Sequence, residues 1–296
     1  MHAPYQRTLR AHAKLNVLLR ILARDSTGYH GIETVFQRLA LSDIVHVSAS
    51  GKERTLHCYG PSMPAAGLGA NEENLAWRAA ALYADASKWE TGWDLVIEKN
   101  IPVGGGLGGG SSDAAAVLRA LEAICPTPIG FAALIELAGT LGADVPFFVS
   151  DASTAFAWSR GDRLLPLAPL PRMQVGLVTF DEGVHTGAAY HAVAAIRATG
   201  GTRIASVSYA PGAFHDWSSL AAIAVNDFEE AVSEMHDGVS AALPIVRAEA
   251  ARLRELGAPA LGMLCGSGAT CFLLHPPHVH VDLSAAPGIV VHTETA

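Results

Sequence analysis

Three features of this 296-residue chain predict a fold that mixes helices with sheet and divides into two domains. One is a clean polar–apolar alternation near the N-terminus. Another is a glycine-rich segment that joins a strand to a helix. The third is a proline-rich passage past the middle of the chain. From Arg10 to Ile21, Ala11, Ala13, Leu15, Val17, Leu19 and Ile21 fall on one face, and His12, Lys14, Asn16, Leu18 and Arg20 on the other. That period of two marks a strand with one buried face, and it points Lys14 and Asn16 the same way, one pleat apart. Ile44–Ser48 is a second strand candidate. Glu73–Ala86 reads as a helix with Asn71 or Asn74 at its start. Trp93, Leu95 and Ile97 alternate with Asp94, Val96 and Glu98 in a strand that runs into the glycines. Ser112–Ile124 reads as a helix stopped at Cys125–Pro126. Phe131–Leu141 is a further helix, with Gly142 as its C-terminal cap. Pro146 favours an extended Val145, so Asp144 is expected in a short turn before a strand at Phe147–Val149. Pro166–Pro171 is the best boundary, giving domains of residues 1–165 and 166–296. Beyond it, Val175–Thr179 reads as a strand, Gly200–Pro211 as a polar loop and Val239–Leu256 as a helix.

Half of the residues are hydrophobic, enough for a substantial core, and the net charge is −8 with no basic run. That balance argues against nucleic acid or an anionic membrane as partner. The N-terminal residues lack the apolar stretch of a secretory signal. Leu256–Leu274 carries no charge but holds four glycines and a proline, which suits turn, loop and buried strand better than a membrane span. The four cysteines form no C-x-x-C pair and read as buried apolar side chains in a reducing compartment, so a cytoplasmic protein is expected. His275, His278 and His280 read as a surface turn, since prolines interrupt them and no cysteine or acid completes a ligand set.

The chemistry concentrates between Pro102 and Ala116, where six glycines fall within seven residues, followed by Ser111 and Ser112 and an alanine-rich helix. Glycine opens backbone conformations in which several N–H groups face one anion, and the helix start adds unpaired N–H groups and a positive dipole end. Pro102, Val103, Gly104, Gly105, Gly106, Leu107, Gly108, Gly109, Gly110, Ser111 and Ser112 are therefore expected to cradle phosphate. Gly104-x-Gly106-x-x-Gly109 also matches the dinucleotide fingerprint. The acidic residue that this fingerprint needs about 20 positions on would be Glu122, which lies inside a helix. No lysine precedes Ser111, so the P-loop pattern fails as well. Asp113 would be repelled by a bare triphosphate. In the first helical turn it suits a carboxylate that faces backbone N–H groups or helps hold Mg²⁺.

The segment resembles the phosphate-binding motif of the GHMP kinases. The resemblance extends over nearly the whole chain. Ala13-Lys14-Leu15-Asn16, Gly28-Tyr29-His30, the glycine segment, Gly142-Ala143-Asp144-Val145-Pro146-Phe147-Phe148 and Gly266-Ser267-Gly268-Ala269-Thr270 stand in order. It is nearest to the branch that phosphorylates the 2-hydroxyl of 4-diphosphocytidyl-2-C-methyl-D-erythritol in the non-mevalonate route to isoprenoid precursors. The resemblance implies an α+β, two-domain fold with the active site in the inter-domain cleft, ATP and Mg²⁺ as cofactors, and a monomer or homodimer. It places Asn74 near adenine, and Asn16, Tyr29, His30, Asp144, Thr186 and Tyr190 on the cytidyl-diphosphate substrate. Around Thr186 and Tyr190 the wording departs from the commoner family pattern. It implies that Lys14 polarises the acceptor hydroxyl and stabilises the transferring charge, and that Asp144 orients the hydroxyl and takes its proton. Phosphoryl transfer rests on such positioning and neutralisation more than on covalent chemistry. Outside this context a strand lysine is usually solvated and an aspartate after a helix cap is usually a turn residue. Another GHMP kinase, of the homoserine or mevalonate type, is the nearest alternative; Tyr29-His30 and Gly108-Gly109-Gly110 argue against it. A nicotinamide-dependent oxidoreductase using the fingerprint would bind NAD and hydrolyse no ATP. A non-catalytic relative should have lost Lys14 or Asp144.

Overall fold

A computed structural model describes residues 5–24, 30–199, 208–210 and 212–296. Its strands are β1 (Tyr5–Arg24), β2 (His30–Ala49), β3 (Arg54–Tyr59), β4 (Trp93–Glu98), β5 (Thr154–Ser159), β6 (Arg163–Pro166), β7 (Gln174–Thr179), β8 (Leu261–Leu264), β9 (Cys271–His275) and β10 (Ile289–Glu294). Its helices are α1 (Leu75–Ser87), α2 (Gly109–Ile124), α3 (Phe131–Leu141), α4 (Val145–Ser150), α5 (Thr186–Ala198), α6 (Trp217–Ile223), α7 (Glu229–Met235) and α8 (Asp237–Glu255). This is an α+β chain.

Two compact units interleave along the sequence. One comprises Met1–Ala13, Leu41–Val103 and Gly108–Ala152, the other Lys14–Ala40, Gly104–Leu107 and Ser153–Ala296. In the first, β4 pairs antiparallel with Ile44–Ala49 of β2 and parallel with β3. Trp93, Leu95 and Ile97 are buried there, as the alternation of β4 requires. Helices α1, α2, α3 and α4 pack on one another. In the second unit, Ile32–Gln37 of β2 pairs antiparallel with β5, and β5 with β6. A separate antiparallel sheet runs β10-β7-β9-β8. Helix α8 packs on β8 and β9, burying Val246 and Leu253 in one apolar cluster with Leu264 and Leu273. Pro244 lies inside α8.

Most of the sequence-predicted elements stand within a few residues of their expected bounds. The strand expected at Phe147–Val149 is instead the helix α4, with Pro146 in its first turn. Proline is tolerated there because the first helical N–H groups have no partner to lose. A buried run as short as Val-Pro-Phe-Phe-Val has no period that separates strand from helix. Helix α2 starts at Gly109 rather than near Ser111, so its first two residues are glycines. Gly142 ends α3 in extended backbone, φ 170°. His275 is buried at the end of β9, not in a surface turn, and its Nδ1 lies 2.9 Å from the Pro276 carbonyl. Cys125, Cys265 and Cys271 are buried and unpaired by disulfides, and Cys58 is half-buried. The uncharged span 256–274 forms β8, a turn and β9, and among the described residues no helix is long and apolar enough to cross a membrane. Most of the loop expected at Gly200–Pro211 lies outside the described residues.

Candidate active site

Strand β1 brings Lys14 and Asn16 onto one face, as the alternation predicts, but here that face is closed: both side chains are buried, 3% exposed each. A buried ammonium must be met by acceptors. Lys14 Nζ donates to Asn16 Oδ1 at 2.6 Å and to the Gly106 carbonyl at 2.8 Å. Asn16 Nδ2 donates in turn to Thr34 Oγ1 at 2.8 Å, and Thr34 Oγ1 to the Leu18 carbonyl at 2.7 Å. The Phe36 ring lies 5.8 Å from Nζ and offers its negative face. The lysine and its neighbour are thus held at fixed positions by Gly106, Thr34, Leu18 and Phe36.

Residues 104–107 of the glycine segment belong with Lys14. The Lys14 amide donates to the Leu107 carbonyl at 3.0 Å, and the Thr270 amide to the Gly105 carbonyl at 3.2 Å. Cys265 Sγ donates to the Gly106 carbonyl at 3.3 Å and to the Lys14 carbonyl at 3.5 Å. Gly106 has φ +77°, and a Cβ built on it would stand 2.2 Å from the Cys265 carbonyl oxygen. Only glycine fits where the segment crosses the turn between β8 and β9.

Gly108–Ser112, with Pro102 and Val103, belong to the other unit. Gly108 takes the left-handed conformation, φ 77°, and caps α2 without a side chain. Gly110 is exposed and Gly109 is half-buried. A Cβ on Gly110 would meet nothing nearer than Leu75 at 3.9 Å. The first amides of a 16-residue helix are therefore open to an anion, with the dipole behind them.

Beneath this helix start lies a charged cluster that sequence reading did not find. Lys99 Nζ donates to Asp43 Oδ2 and, at 2.6 Å, to Asp113 Oδ2, with all three side chains buried. Asp43 Oδ1 accepts the Asn100 amide at 2.5 Å and the Ile101 amide at 2.7 Å, which fixes the entry to the glycine segment. Burial alone would lower the Lys99 pKa, but the Asp113 and Asp43 carboxylates outweigh it and hold the ammonium above its ordinary value. Burial pushes the Asp113 carboxyl up to about 7, with Lys99 opposing and Asp43 adding to the rise. Asp113 Oδ2 faces Lys99 rather than backbone amides, and its buried Oδ1 has no hydrogen-bond partner. A carboxyl whose folded-state pKa lies above its unfolded value binds a proton on folding. Its contribution to stability therefore becomes less favourable as pH rises from about 4 towards 7. Lys99→Met should cost about 3–5 kcal/mol, because it leaves two buried carboxylates without their cation. In urea unfolding the loss should be larger at pH 8 than at pH 5, where protonation of Asp113 relieves the repulsion. A loss below about 1 kcal/mol, or one that is equal at both pH values, would contradict this account of the cluster.

The remaining predicted residues divide between the units. Asn74 caps α1, its Oδ1 accepting the Ala76 amide at 2.9 Å, so part of its polar capacity is spent on the helix. Asp144 is half-buried at the N-cap of α4, φ −84°, and makes no capping hydrogen bond. In the other unit His30 and Tyr190 come together, ring centroids 5.3 Å apart and 10° from parallel, while Phe228 meets Tyr190 edge-on at 4.9 Å. Thr186, in the first turn of α5, has its Oγ1 2.9 Å from Ser267 Oγ. Tyr29 lies outside the described residues. A cavity of about 300 Å³ in the same unit is lined by Val193, Arg197, Asn226, Asp227, Glu229 and Arg247 among others, and contains none of the predicted residues.

The family profile described as "GHMP kinases N terminal domain" matches residues 74–151. The 4-diphosphocytidyl-2-C-methyl-D-erythritol kinase of Geobacter metallireducens is 35% identical over 265 residues, covering 90% of this chain and 88% of that protein. The kinase of the same name from Desulfotalea psychrophila is 36% identical, covering 89% and 84%. A crystal structure of 4-(cytidine 5'-diphospho)-2C-methyl-D-erythritol kinase superposes with a TM-score of 0.70 at 34% identity, covering 98% of this chain and 99% of that one. With that identity sustained over nine-tenths of its length, the chain belongs to the 4-diphosphocytidyl-2-C-methyl-D-erythritol kinase family of the GHMP kinases.

Proposed function

We propose that this chain transfers the γ-phosphoryl group of ATP to the tertiary 2-hydroxyl of 4-diphosphocytidyl-2-C-methyl-D-erythritol, giving the 2-phosphate and ADP. The observation that carries the reading is the Lys14 ammonium, buried and tied at once to Asn16 and to the Gly106 carbonyl of the glycine segment. A cation held in this way meets developing phosphate charge without reorganising. Lys14 polarises the acceptor hydroxyl and neutralises the transferring charge; Asp144 orients that hydroxyl and takes its proton. The weak basicity of a carboxylate suffices where the transition state is loose and the proton leaves late. The open amides at the start of α2 suit the ATP phosphates. Mg²⁺, when bound, neutralises phosphate oxygens. It needs only one or two protein carboxylates beside the phosphates and water, and no side-chain ligand is assigned to it.

His30 and Tyr190 are assigned to the cytosine. Rings 5.3 Å apart leave no space for a base between them, so the base stacks on an outer face or parts the pair. Tyr190→Ala should weaken the cytidyl acceptor by about 1–3 kcal/mol, read in its KM, and leave the KM for ATP unchanged, while Tyr190→Phe keeps most of the affinity. Equal losses for both substrates would remove Tyr190 from the acceptor site.

The reaction is tested by following ADP release from Mg²⁺-ATP with the cytidyl acceptor, with homoserine and mevalonate in parallel. Turnover with the cytidyl compound alone is the expected result. Turnover with homoserine or mevalonate instead, or with none of the three, would overturn the assignment.

A further inference from the structure

The turn between β8 and β9 touches the catalytic lysine on one side and a buried asparagine on the other. On the lysine side, a Cβ built on Gly266 would lie 3.2 Å from Lys14 Nζ and 3.3 Å from Asn16 Oδ1, so the turn passes close to both side chains with no room for one of its own. Its own hydrogen bonds run from Cys265 N to the Thr270 carbonyl at 2.8 Å and from Gly268 N to the Cys265 carbonyl at 2.9 Å. Gly266 and Gly268 both lie at positive φ, +56° and +86°. Two glycines in six residues make a chain path that local preferences alone specify weakly.

On the far side, Asn226 is 3% exposed and uses its whole side chain. Nδ2 donates to the Leu264 carbonyl at 2.9 Å and to the Gly266 carbonyl at 2.8 Å, while Oδ1 accepts the Phe228 amide at 3.0 Å. Glu229 adds a third point, its Oε1 accepting the Leu264 amide at 2.9 Å while Arg247 holds Oε2 at 2.5 Å. The segment is also sewn to β1: Leu19 N donates to the Val225 carbonyl at 2.7 Å and Asp227 N to the Leu19 carbonyl at 3.0 Å. One amide group thus holds two carbonyls where the chain leaves β8 and enters the turn, and its backbone is fixed to the strand that carries Lys14.

We propose that Asn226 is a positioning residue for phosphoryl transfer: by holding the Leu264 and Gly266 carbonyls it sets the β8–β9 turn, and through it the placement of Lys14. It touches no reacting group, so its loss should move kcat and leave binding alone. The inference rests on the assignment of Lys14 to the reacting centre.

Asn226→Asp keeps the size of the side chain but sets a carboxylate against two carbonyl oxygens, and Asn226→Ala removes the group without repulsion. A displacement of the order of 1 Å at a reacting group costs about 100-fold, so kcat should fall about 10–100-fold in both variants with both KM values nearly unchanged. Thiol labelling of the intact protein, read by mass spectrometry, separates a local effect from a global one. Cys265 lies in the turn with its Sγ on the Lys14 and Gly106 carbonyls, whereas Cys125 is buried in the other unit. Loosening of the turn should speed labelling of Cys265 and leave Cys125 protected. Two results would overturn the proposal: a folded Asn226→Ala protein with wild-type kcat, or a loss of kcat in which Cys265 and Cys125 become reactive together. If wild-type protein makes no ADP with the cytidyl acceptor, the reaction assignment fails, and the labelling contrast still decides whether Asn226 sets the turn.

Discussion

Asp144→Asn is expected to lower kcat by about 10²–10⁴-fold, the range spanned by loss of a positioned proton acceptor, with Mg²⁺-ATP affinity unchanged. The substitution is mild for the fold. Asp144 sits at the N-cap of α4 and makes no capping bond there. Asparagine is as good an N-cap residue as aspartate, so the helix start tolerates it. What changes is the ability to accept a proton, which the amide lacks. Helix α4 packs on α2, whose start carries the last glycines of the phosphate cradle. Binding of the nucleotide therefore serves as the control: if ATP affinity falls along with kcat, the substitution has disturbed the helices. Steady-state kinetics and ATP titration of the same preparation read both quantities. Near-normal turnover would remove Asp144 from the mechanism.

Much of this arrangement could be read from residue order because it is local. The alternation around Lys14 and Asn16 is a period of two, and the structure buries those residues together on β1. Glycines 104–110 announce a backbone that does what side chains forbid, and Gly106 meets the Cys265 carbonyl where any Cβ would clash. What escaped sequence reading is what only folding brings together. Asp43 and Asp113 lie 56 and 14 residues from the Lys99 that joins them. In the sequence Asp43 is one more charge near a strand end, and Asp113, at a helix start, reads as a partner for backbone N–H groups or Mg²⁺ rather than for Lys99. Asn226 in Asn-Asp-Phe-Glu looks like the polar start of a helix, and nothing in those letters says that its amide holds the Leu264 and Gly266 carbonyls at the start of the β8–β9 turn. Helix α4 is not legible for a different reason: five buried residues, one of them a proline, carry no period, and the choice falls to packing against α2 and α3.

Lys14→Met should lower kcat by about 10²–10³-fold, the cost of removing one preorganised group from developing charge. Methionine follows the apolar stem of lysine and stops one atom short of the ammonium, so the change isolates that group. The site it leaves is not neutral. Asn16 Oδ1, which is buried, loses its donor at 2.6 Å, while the half-buried Gly106 carbonyl loses one at 2.8 Å and keeps the Cys265 thiol at 3.3 Å. An unmet buried acceptor costs about 1–3 kcal/mol, offset in part because a buried charge no longer has to be desolvated. Stability should therefore change far less than rate, which a thermal melt beside the kinetics would register. Lys14→Arg divides the effect further. It keeps the positive charge but needs more room, and Gly266 already stands against Nζ on one side with Gly106 on the other. If charge alone mattered, arginine would restore turnover. The packing predicts that it does not, because the guanidinium cannot take the ammonium's place without moving the β8–β9 turn. An arginine variant as active as the wild type would show that this turn yields readily, and the tight fit of Gly106 and Gly266 around Lys14 would then have no part in catalysis.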